Sequence, residues 1–266
     1  MFILYFMRAV DISIDRVTGG VSRLKASFSK NLKFYFQEAL GLGIFMVSAC
    51  FFSGLLFGKN GYFVSEFSAF IRQAILGLFM GLTAVFIFYS RFTSSSGSHI
   101  NPAVTLSFFR VGKINRWDTF FYILFQFIGG TVTVYIMAAL MGENLTSSPL
   151  YDVVTVPGKY GPFAAAITEL ITAFVMMCMV LFTADHAVLK KYSRIIAGIL
   201  VCLYVIIAGP ISGFGMNPAR SFASALPSNV WTSFWIYIFL PLAGMLGAAE
   251  LYLAIKKKNK SLTVDR

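Results

Sequence analysis

The chain has 266 residues, of which 58% are hydrophobic and only 12% are charged, and its net charge is +11. Soluble domains carry about 25% charged residues, and with 29 phenylalanines and a mean hydropathy of +0.76 this sequence has more apolar side chains than a soluble fold can bury. The composition excludes a soluble enzyme, a disulfide-rich secreted domain and a disordered protein, and it predicts an integral membrane protein whose basic residues lie at one membrane surface rather than on a nucleic acid.

Six apolar runs are long enough, or nearly so, to cross a bilayer as helices, which takes about 20 residues. In chain order they are Phe34–Phe57, Phe67–Ser90, Thr119–Met141, Pro162–Thr183, Ile195–Ile211 and Phe234–Ile255. Two further apolar stretches, Ala103–Arg110 and Ala219–Leu226, are too short to span and are predicted to be half-helices. The predicted fold class is an all-α membrane protein with six transmembrane helices and two re-entrant half-helices.

The lysines and arginines are distributed unevenly among the segments that connect these runs. The leader, residues 1–33, holds six, the connection after the second run four, the connection after the fourth run three and the tail, residues 256–266, five, so that 18 of the 22 fall on one side. Because basic loops remain in the cytoplasm, the pattern predicts a multi-pass protein of the plasma membrane or the bacterial inner membrane with both termini cytoplasmic.

One motif occurs twice, once in each half of the chain. Ser96–Ala103 and Ser212–Ala219 share the pattern Ser-Gly-x-x-x-Asn-Pro-Ala, and each half also has a glutamate inside its first apolar run, Glu38 or Glu169. Three spans per half is an odd number, so the two copies insert in opposite senses, as in the inverted repeats that build a site at the membrane midplane. The predicted parts are a basic leader (1–33), a first repeat (34–141), an extracytoplasmic linker (142–161), a second repeat (162–255) and a basic tail (256–266).

A single Asn-Pro-Ala box is typical of an ordinary helix start. Asparagine is a good N-terminal cap, and proline suits the first helical position. Two such starts in opposed halves, each heading a helix too short to span, indicate a functional device instead.

These features resemble the aquaporin, or major intrinsic protein, family over residues 34–255. The resemblance rests on the two Asn-Pro-Ala boxes, on Arg220 directly after the second box and on Glu38 and Glu169. It implies six tilted helices, two half-helices that meet end to end, one pore in each chain and a homotetramer.

By this resemblance the two boxes form the centre of a pore. Their residues are Asn101, Pro102, Ala103, Asn217, Pro218 and Ala219. Each half-helix directs the positive end of its dipole to the membrane centre, and each asparagine caps its helix while leaving an amide N–H for the permeant. A water molecule that accepts from both amides directs its hydrogens toward the two mouths, which interrupts proton transfer, and the positive field repels cations.

Four further polar residues receive roles. The resemblance places Arg220 in the outer constriction, where it donates to the permeant and excludes cations. Two interpretations of Glu38 and Glu169 stay open: they brace the re-entrant loops by accepting backbone N–H groups, or they are proton-relay acids of a coupled transporter. His99 is predicted to line the inner half of the pore, with a packing role as the alternative.

The outer filter of this family has four positions. Counting from the second box assigns three of them to Arg220, Phe214 and Val205, while the second-span position falls on Gly81 without a gap or on Met80 with a one-residue insertion. Strict water channels carry an aromatic residue on the second span and a histidine where Val205 stands. This filter is therefore predicted to be wider and less polar.

The sequence predicts a passive channel for water, and through its wide filter for small neutral solutes, that excludes protons and ions. An alternative is a glycerol or small-polyol facilitator, which Phe214 favours and Ser221 disfavours; a third, less favoured alternative is an ion-coupled secondary transporter. We expect no catalytic residue, metal or cofactor. The predicted partners are water, small neutral solutes such as glycerol, the lipid bilayer and further copies of the chain in a homotetramer, without a nucleic acid.

Overall fold

The structure is a computed structural model that describes the backbone of residues 2–264 and the side chains of residues 20–258. Its helices are α1 (Phe2–Phe57), α2 (Ala69–Tyr89), α3 (Pro102–Arg110), α4 (Arg116–Met141), α5 (Glu143–Thr146), α6 (Gly161–Asp185), α7 (Ser193–Ser212), α8 (Pro218–Ser228) and α9 (Phe234–Val264). Within the described residues, six of these helices (α1, α2, α4, α6, α7 and α9) are long and apolar enough to cross a membrane. The predicted all-α membrane fold is confirmed, and α3 and α8 are the two short helices expected after the boxes.

The helices pack as two similar halves. Helix α1 packs against α4, and its counterpart α6 packs against α9. Helices α2 and α7, one from each half, pack directly against each other. Each half-helix lies against the other half: α3 contacts α9, and α8 contacts α4. The two half-helices are therefore held in place by the association of the halves, which puts their N-terminal ends near each other in the interior.

Helices α2 and α7 approach closely because glycines face the contact. A Cβ atom added at Gly81 would lie 2.7 Å from the carbonyl oxygen of Gly198, and one added at Gly77 would lie 2.8 Å from the carbonyl oxygen of Cys202. Small residues at this spacing allow two backbones to touch, as is usual in membrane helix pairs.

The basic leader is part of the first helix rather than a separate segment. Among the side chains that the structure describes, Leu24, Phe28 and Leu32 pack with the buried Tyr35 and Phe121. These three apolar residues are four positions apart and form one helical face, a pattern that the charge count of the leader concealed.

Polar contacts define the two ends of the molecule. At one end, which we call the basic end, Asp185 pairs with Lys256 at 2.5 Å and lies 3.9 Å from Lys113. At the other, which we call the opposite end, Lys59 contacts Glu143 at 3.2 Å. The connections that the sequence grouped on one side, after α3 and after α6, therefore do meet at one end.

Candidate functional site

The loops before α3 and α8 have the same backbone conformation. Non-glycine residues with a positive φ alternate in both: Ser98 (50°) and Ile100 (45°) in the first, and Phe214 (47°) and Met216 (48°) in the second. Each left-handed residue costs about 1–3 kcal/mol, so such a loop persists only where its surroundings hold it.

The buried carboxylate of Glu38 holds the first loop. It accepts hydrogen bonds from the backbone N–H groups of His99 (3.0 Å) and Ile100 (2.6 Å) and from the hydroxyl of Ser96 (2.6 Å). The side-chain amide of Gln126 donates to it as well, at 2.8 Å. A buried carboxylate is costly unless it is hydrogen-bonded, and here both oxygens have donors.

Glu169 makes the matching contacts in the second loop. Its carboxylate accepts from the N–H groups of Gly215 (2.8 Å) and Met216 (2.5 Å) and from the hydroxyl of Ser212 (2.7 Å). The side chain is fully buried, as is that of Glu38. Each of the two glutamates therefore accepts hydrogen bonds from the loop that precedes a half-helix.

The two box asparagines reach across to the opposite loop. The Oδ1 atom of Asn101 accepts from the N–H of Ala103 (2.9 Å), and its Nδ2 donates to the carbonyl oxygen of Met216 (2.9 Å). Asn217 likewise caps α8 through the N–H of Ala219 (3.0 Å) and donates to the carbonyl oxygen of Ile100 (2.7 Å). Each asparagine thus caps its own helix and fixes the other loop.

The remaining box residues pack rather than line an open space. Pro102, Ala103, Pro218 and Ala219 are buried at the starts of α3 and α8. Proline at the first helical position needs no N–H partner, and alanine has the small side chain that the contact between two helix ends requires.

Two cavities lie end to end in the interior. The cavity toward the opposite end has a volume of about 310 Å³, and its lining includes Phe57, Pro149 and Arg220. The cavity toward the basic end has a volume of about 450 Å³, and its lining includes both box asparagines together with Lys190 and Arg194. We call them the opposite-end cavity and the basic-end cavity.

The predicted filter residues lie on the opposite-end cavity with one exception. Met80, Val205, Phe214 and Arg220 all line it. Gly81 is buried against α7, where it approaches the Gly198 carbonyl oxygen. Of the two second-span candidates, the structure therefore places Met80 at the cavity and Gly81 in the helix contact.

Arg220 is held by the loop that precedes α6. Its Nη1 atom donates to the carbonyl oxygen of Val153 at 2.9 Å. Tyr151, Asp152 and Val153 are all left-handed, with φ of 43°, 58° and 53°, so the carbonyl is presented by a constrained turn. Burial raises the pKa of the Asp152 carboxyl, whose Oδ1 atom accepts no hydrogen bond from the described residues.

His99 lines the basic-end cavity beside Asn101. Its ring stacks on Phe108 with centroids 4.6 Å apart, and its Nδ1 atom lies 3.2 Å from the hydroxyl oxygen of Thr105. The side chain therefore combines a cavity-lining position with the packing contacts of the alternative interpretation.

Comparison with known proteins identifies the family. The model of the family described as "Major intrinsic protein" matches residues 25–252 of this chain. The chain belongs to the major intrinsic protein family. Among curated relatives of this major intrinsic protein, a probable NIP-type aquaporin from Nicotiana alata is 36% identical over 177 residues, which are 63% of this chain and 60% of that protein. Aquaporin NIP2-2 from Zea mays is 31% identical over 211 residues, which are 79% of this chain and 67% of that protein.

The fold of this major intrinsic protein is also found among solved structures. The X-ray structure of the aquaglyceroporin from Plasmodium falciparum matches with a TM-score of 0.70 at 20% identity, covering 83% of this chain and 95% of that one. The chain spans about 60% of the length of the first curated relatives that it matches.

Several residues at the site were not predicted from the sequence of this family member. The hydroxyls of Tyr122 and Tyr237 donate to the carbonyl oxygens of Ser96 (2.8 Å) and Ser212 (2.7 Å), one in each repeat. Both tyrosines precede an isoleucine, and aligning the two repeats beyond the boxes would have paired them.

Gln73 was also missed. It lines the opposite-end cavity, and its Nε2 atom donates to the carbonyl oxygen of Val205 at 2.6 Å. In the sequence it follows Arg72 near the start of an apolar run, and nothing local indicates which way it faces.

Proposed function

We propose that the protein is a passive channel for water and small neutral solutes that excludes protons and ions. The observation that carries this proposal is the crossed pair of asparagines between two cavities that extend toward opposite ends of the molecule. No reaction or energy coupling is needed for such a function.

The asparagine pair supplies a way to pass water without protons. A carboxamide has two N–H bonds, and each box asparagine uses one for a carbonyl of the other loop. The second N–H of each is available to the basic-end cavity that both side chains line. A water oxygen that accepts from both amides cannot at the same time accept a proton from a neighbouring water, so the hydrogen-bonded chain is interrupted there.

Positive charge supports the exclusion of ions. The N-terminal ends of α3 and α8 lie in the interior and carry about half a positive charge each. Arg220 adds a full charge on the opposite-end cavity. Both positive fields repel a cation that leaves bulk water, whereas neither repels a neutral solute.

The filter composition favours a permeant range wider than water. Met80, Val205 and Phe214 give the opposite-end cavity apolar walls, while Arg220 and Gln73 supply donors. This combination suits a solute with a carbon backbone on one side and hydroxyl groups on the other. The glycerol or small-polyol facilitator therefore remains the second candidate function.

The ion-coupled transporter receives less support from the two glutamates. Both oxygens of Glu38 and of Glu169 accept hydrogen bonds from their loops, which suits a fixed carboxylate better than one that exchanges protons with a permeant. A solute flux driven by a proton or sodium gradient would favour the transporter instead.

The decisive experiment is stopped-flow light scattering on proteoliposomes. We expect osmotic shrinkage at least several-fold faster than in empty vesicles and slow, passive re-swelling in glycerol. Shrinkage at the rate of empty vesicles would disprove the water channel, while glycerol re-swelling as fast as water flux would favour the facilitator.

The setting of the channel is part of the same proposal. We propose that the basic end faces the cytoplasm of a plasma or bacterial inner membrane and that four chains form a homotetramer, each with its own pore. Many large apolar side chains are exposed, such as Phe163 at 79% and Leu140 at 75%, which suits contact with lipid or with other copies. Chemical crosslinking in native membranes would test the tetramer.

A further inference from the structure

The two cavities have two lining residues in common, Phe45 and Phe214. The two cavities therefore adjoin at these two residues. Phe214 was assigned to the filter from the sequence, whereas Phe45 belongs to the first span and to no motif.

The spacing along α1 places Phe45 at the end of a row of cavity-lining residues. Helix α1 contributes Phe45, Ala49, Ser53 and Phe57 to the opposite-end cavity, each four residues after the previous one. This is one face of the helix. Its middle positions carry small side chains, so the wall is recessed there. At Phe45 the recess ends with a large ring, and no other α1 residue whose side chain is described lines the basic-end cavity.

Phe214 is held rigidly on the other side. Its backbone is left-handed with φ of 47°, and its N–H donates to the hydroxyl of Ser212 at 3.1 Å. Its ring meets that of Tyr204 edge to face, with centroids 5.7 Å apart. With one ring fixed in this way, the width of the passage depends on the size of the side chain at position 45.

We propose that Phe45 is a specificity-determining residue which, together with Phe214, sets the largest neutral solute that crosses between the cavities. This inference rests on the proposed channel function. The two apolar rings admit a single file of water or an unbranched polyol, and they hold back wider solutes at the junction of the two cavities.

The test compares solute selectivity between variants of Phe45 in proteoliposomes. Phe45→Ala is expected to raise the ratio of glycerol to water permeability about tenfold and Phe45→Trp to lower it, since fit in an apolar site discriminates by about that factor. Phe36→Ala is the control, because Phe36 is on the same helix but is 59% exposed on the outside; it should leave the ratio unchanged.

After the flux of empty vesicles is subtracted, the ratio of the two fluxes does not depend on how much of the protein is folded, so partial misfolding of a variant does not imitate the effect. If the wild type conducts water but both Phe45 variants have the same ratio of glycerol to water permeability as the wild type, this inference alone is overturned. Wild-type flux no faster than that of empty vesicles would overturn the proposed function, and this inference with it.

Discussion

At the scale of single residues, each re-entrant loop combines two features that are each unfavourable alone: left-handed backbone and a buried carboxylate. Two left-handed residues cost about 1–3 kcal/mol each, and a buried carboxylate is costly when it lacks donors. In the second loop, Glu169 accepts from the N–H of the left-handed Met216 and from that of Gly215. Hydrogen bonds to a charged group contribute about 1.5–3 kcal/mol each, so the carboxylate and the strained backbone stabilise each other.

Arg220 carries the prediction at this scale. Replacing it by valine in Arg220→Val removes the charge on the opposite-end cavity and the hydrogen bond to the Val153 carbonyl. We expect permeability to larger neutral solutes to rise about tenfold and cation exclusion to weaken, because the positive barrier and a large side chain are both lost. Solute re-swelling and sodium flux in proteoliposomes measure the two effects.

The control for that variant is Arg72→Val. Arg72 donates to the carbonyl oxygen of Leu56 at 2.8 Å. Its replacement by valine removes one positive charge from the same end of the molecule. If both variants changed selectivity equally, net charge rather than the position of Arg220 would be responsible.

At the scale of elements, the two half-helices are too short to be stable alone. They have nine and eleven residues, and isolated helices shorter than about 12–15 residues are marginal. Three features supply the stability that these short helices lack alone: an asparagine cap, proline at the first position and packing against the other half, α3 on α9 and α8 on α4. The shape of the opposite-end cavity, which Met80 on α2 and Val205 on α7 both line, also depends on how closely these two helices approach each other.

Gly81→Ala tests the contact between α2 and α7. The added Cβ would lie 2.7 Å from the carbonyl oxygen of Gly198, so the helices must separate, at a cost of about 1–3 kcal/mol. We expect a lower midpoint of thermal unfolding in detergent. Gly247→Ala is the matched control, because the added Cβ would meet only the ring of Phe174 among the described residues, at an ordinary 3.7 Å.

A Gly81→Ala protein as stable as the wild type but with altered solute selectivity would contradict this placement. That result would favour Gly81 over Met80 as the second-span residue of the proposed filter.

At the scale of the whole molecule, charge and hydropathy divide the protein into two ends and an apolar belt. The basic end joins the connections after α3 and α6 to the end of α9 through Lys113, Asp185 and Lys256. The opposite end is joined through Lys59 and Glu143. The two cavities extend toward these ends, so they follow the same axis that the charges mark.

The orientation of this axis is testable with single cysteines at the two ends, Lys59→Cys and Lys113→Cys. In a background with the native cysteines replaced by alanine, a membrane-impermeant thiol reagent should label position 59 in intact cells and position 113 only after the membrane is opened, since basic loops remain in the cytoplasm. The reverse pattern would contradict the orientation while leaving the fold intact.

Prediction from sequence succeeded where the signal is local. The half-helix starts at Pro102 and Pro218 follow from the asparagine cap and the proline, which act within one turn. It was incomplete for the leader, because basic residues hid the apolar face of Leu24, Phe28 and Leu32 that packs on α4. A charge count records how many residues are polar and not which face they occupy.

The sequence by itself determined the membrane class, the six spans, the two half-helices and the position of the boxes. These depend on hydropathy over about 20 residues and on capping, both of which are local properties of the chain. Only the tertiary structure decided which side chains line the opposite-end cavity: Met80 rather than Gly81 on α2, and the unassigned Phe45 on α1. The reason is that the rotation of each helix about its axis is set by its packing partners. The sequence of a run that is apolar on every side does not indicate which face points inward.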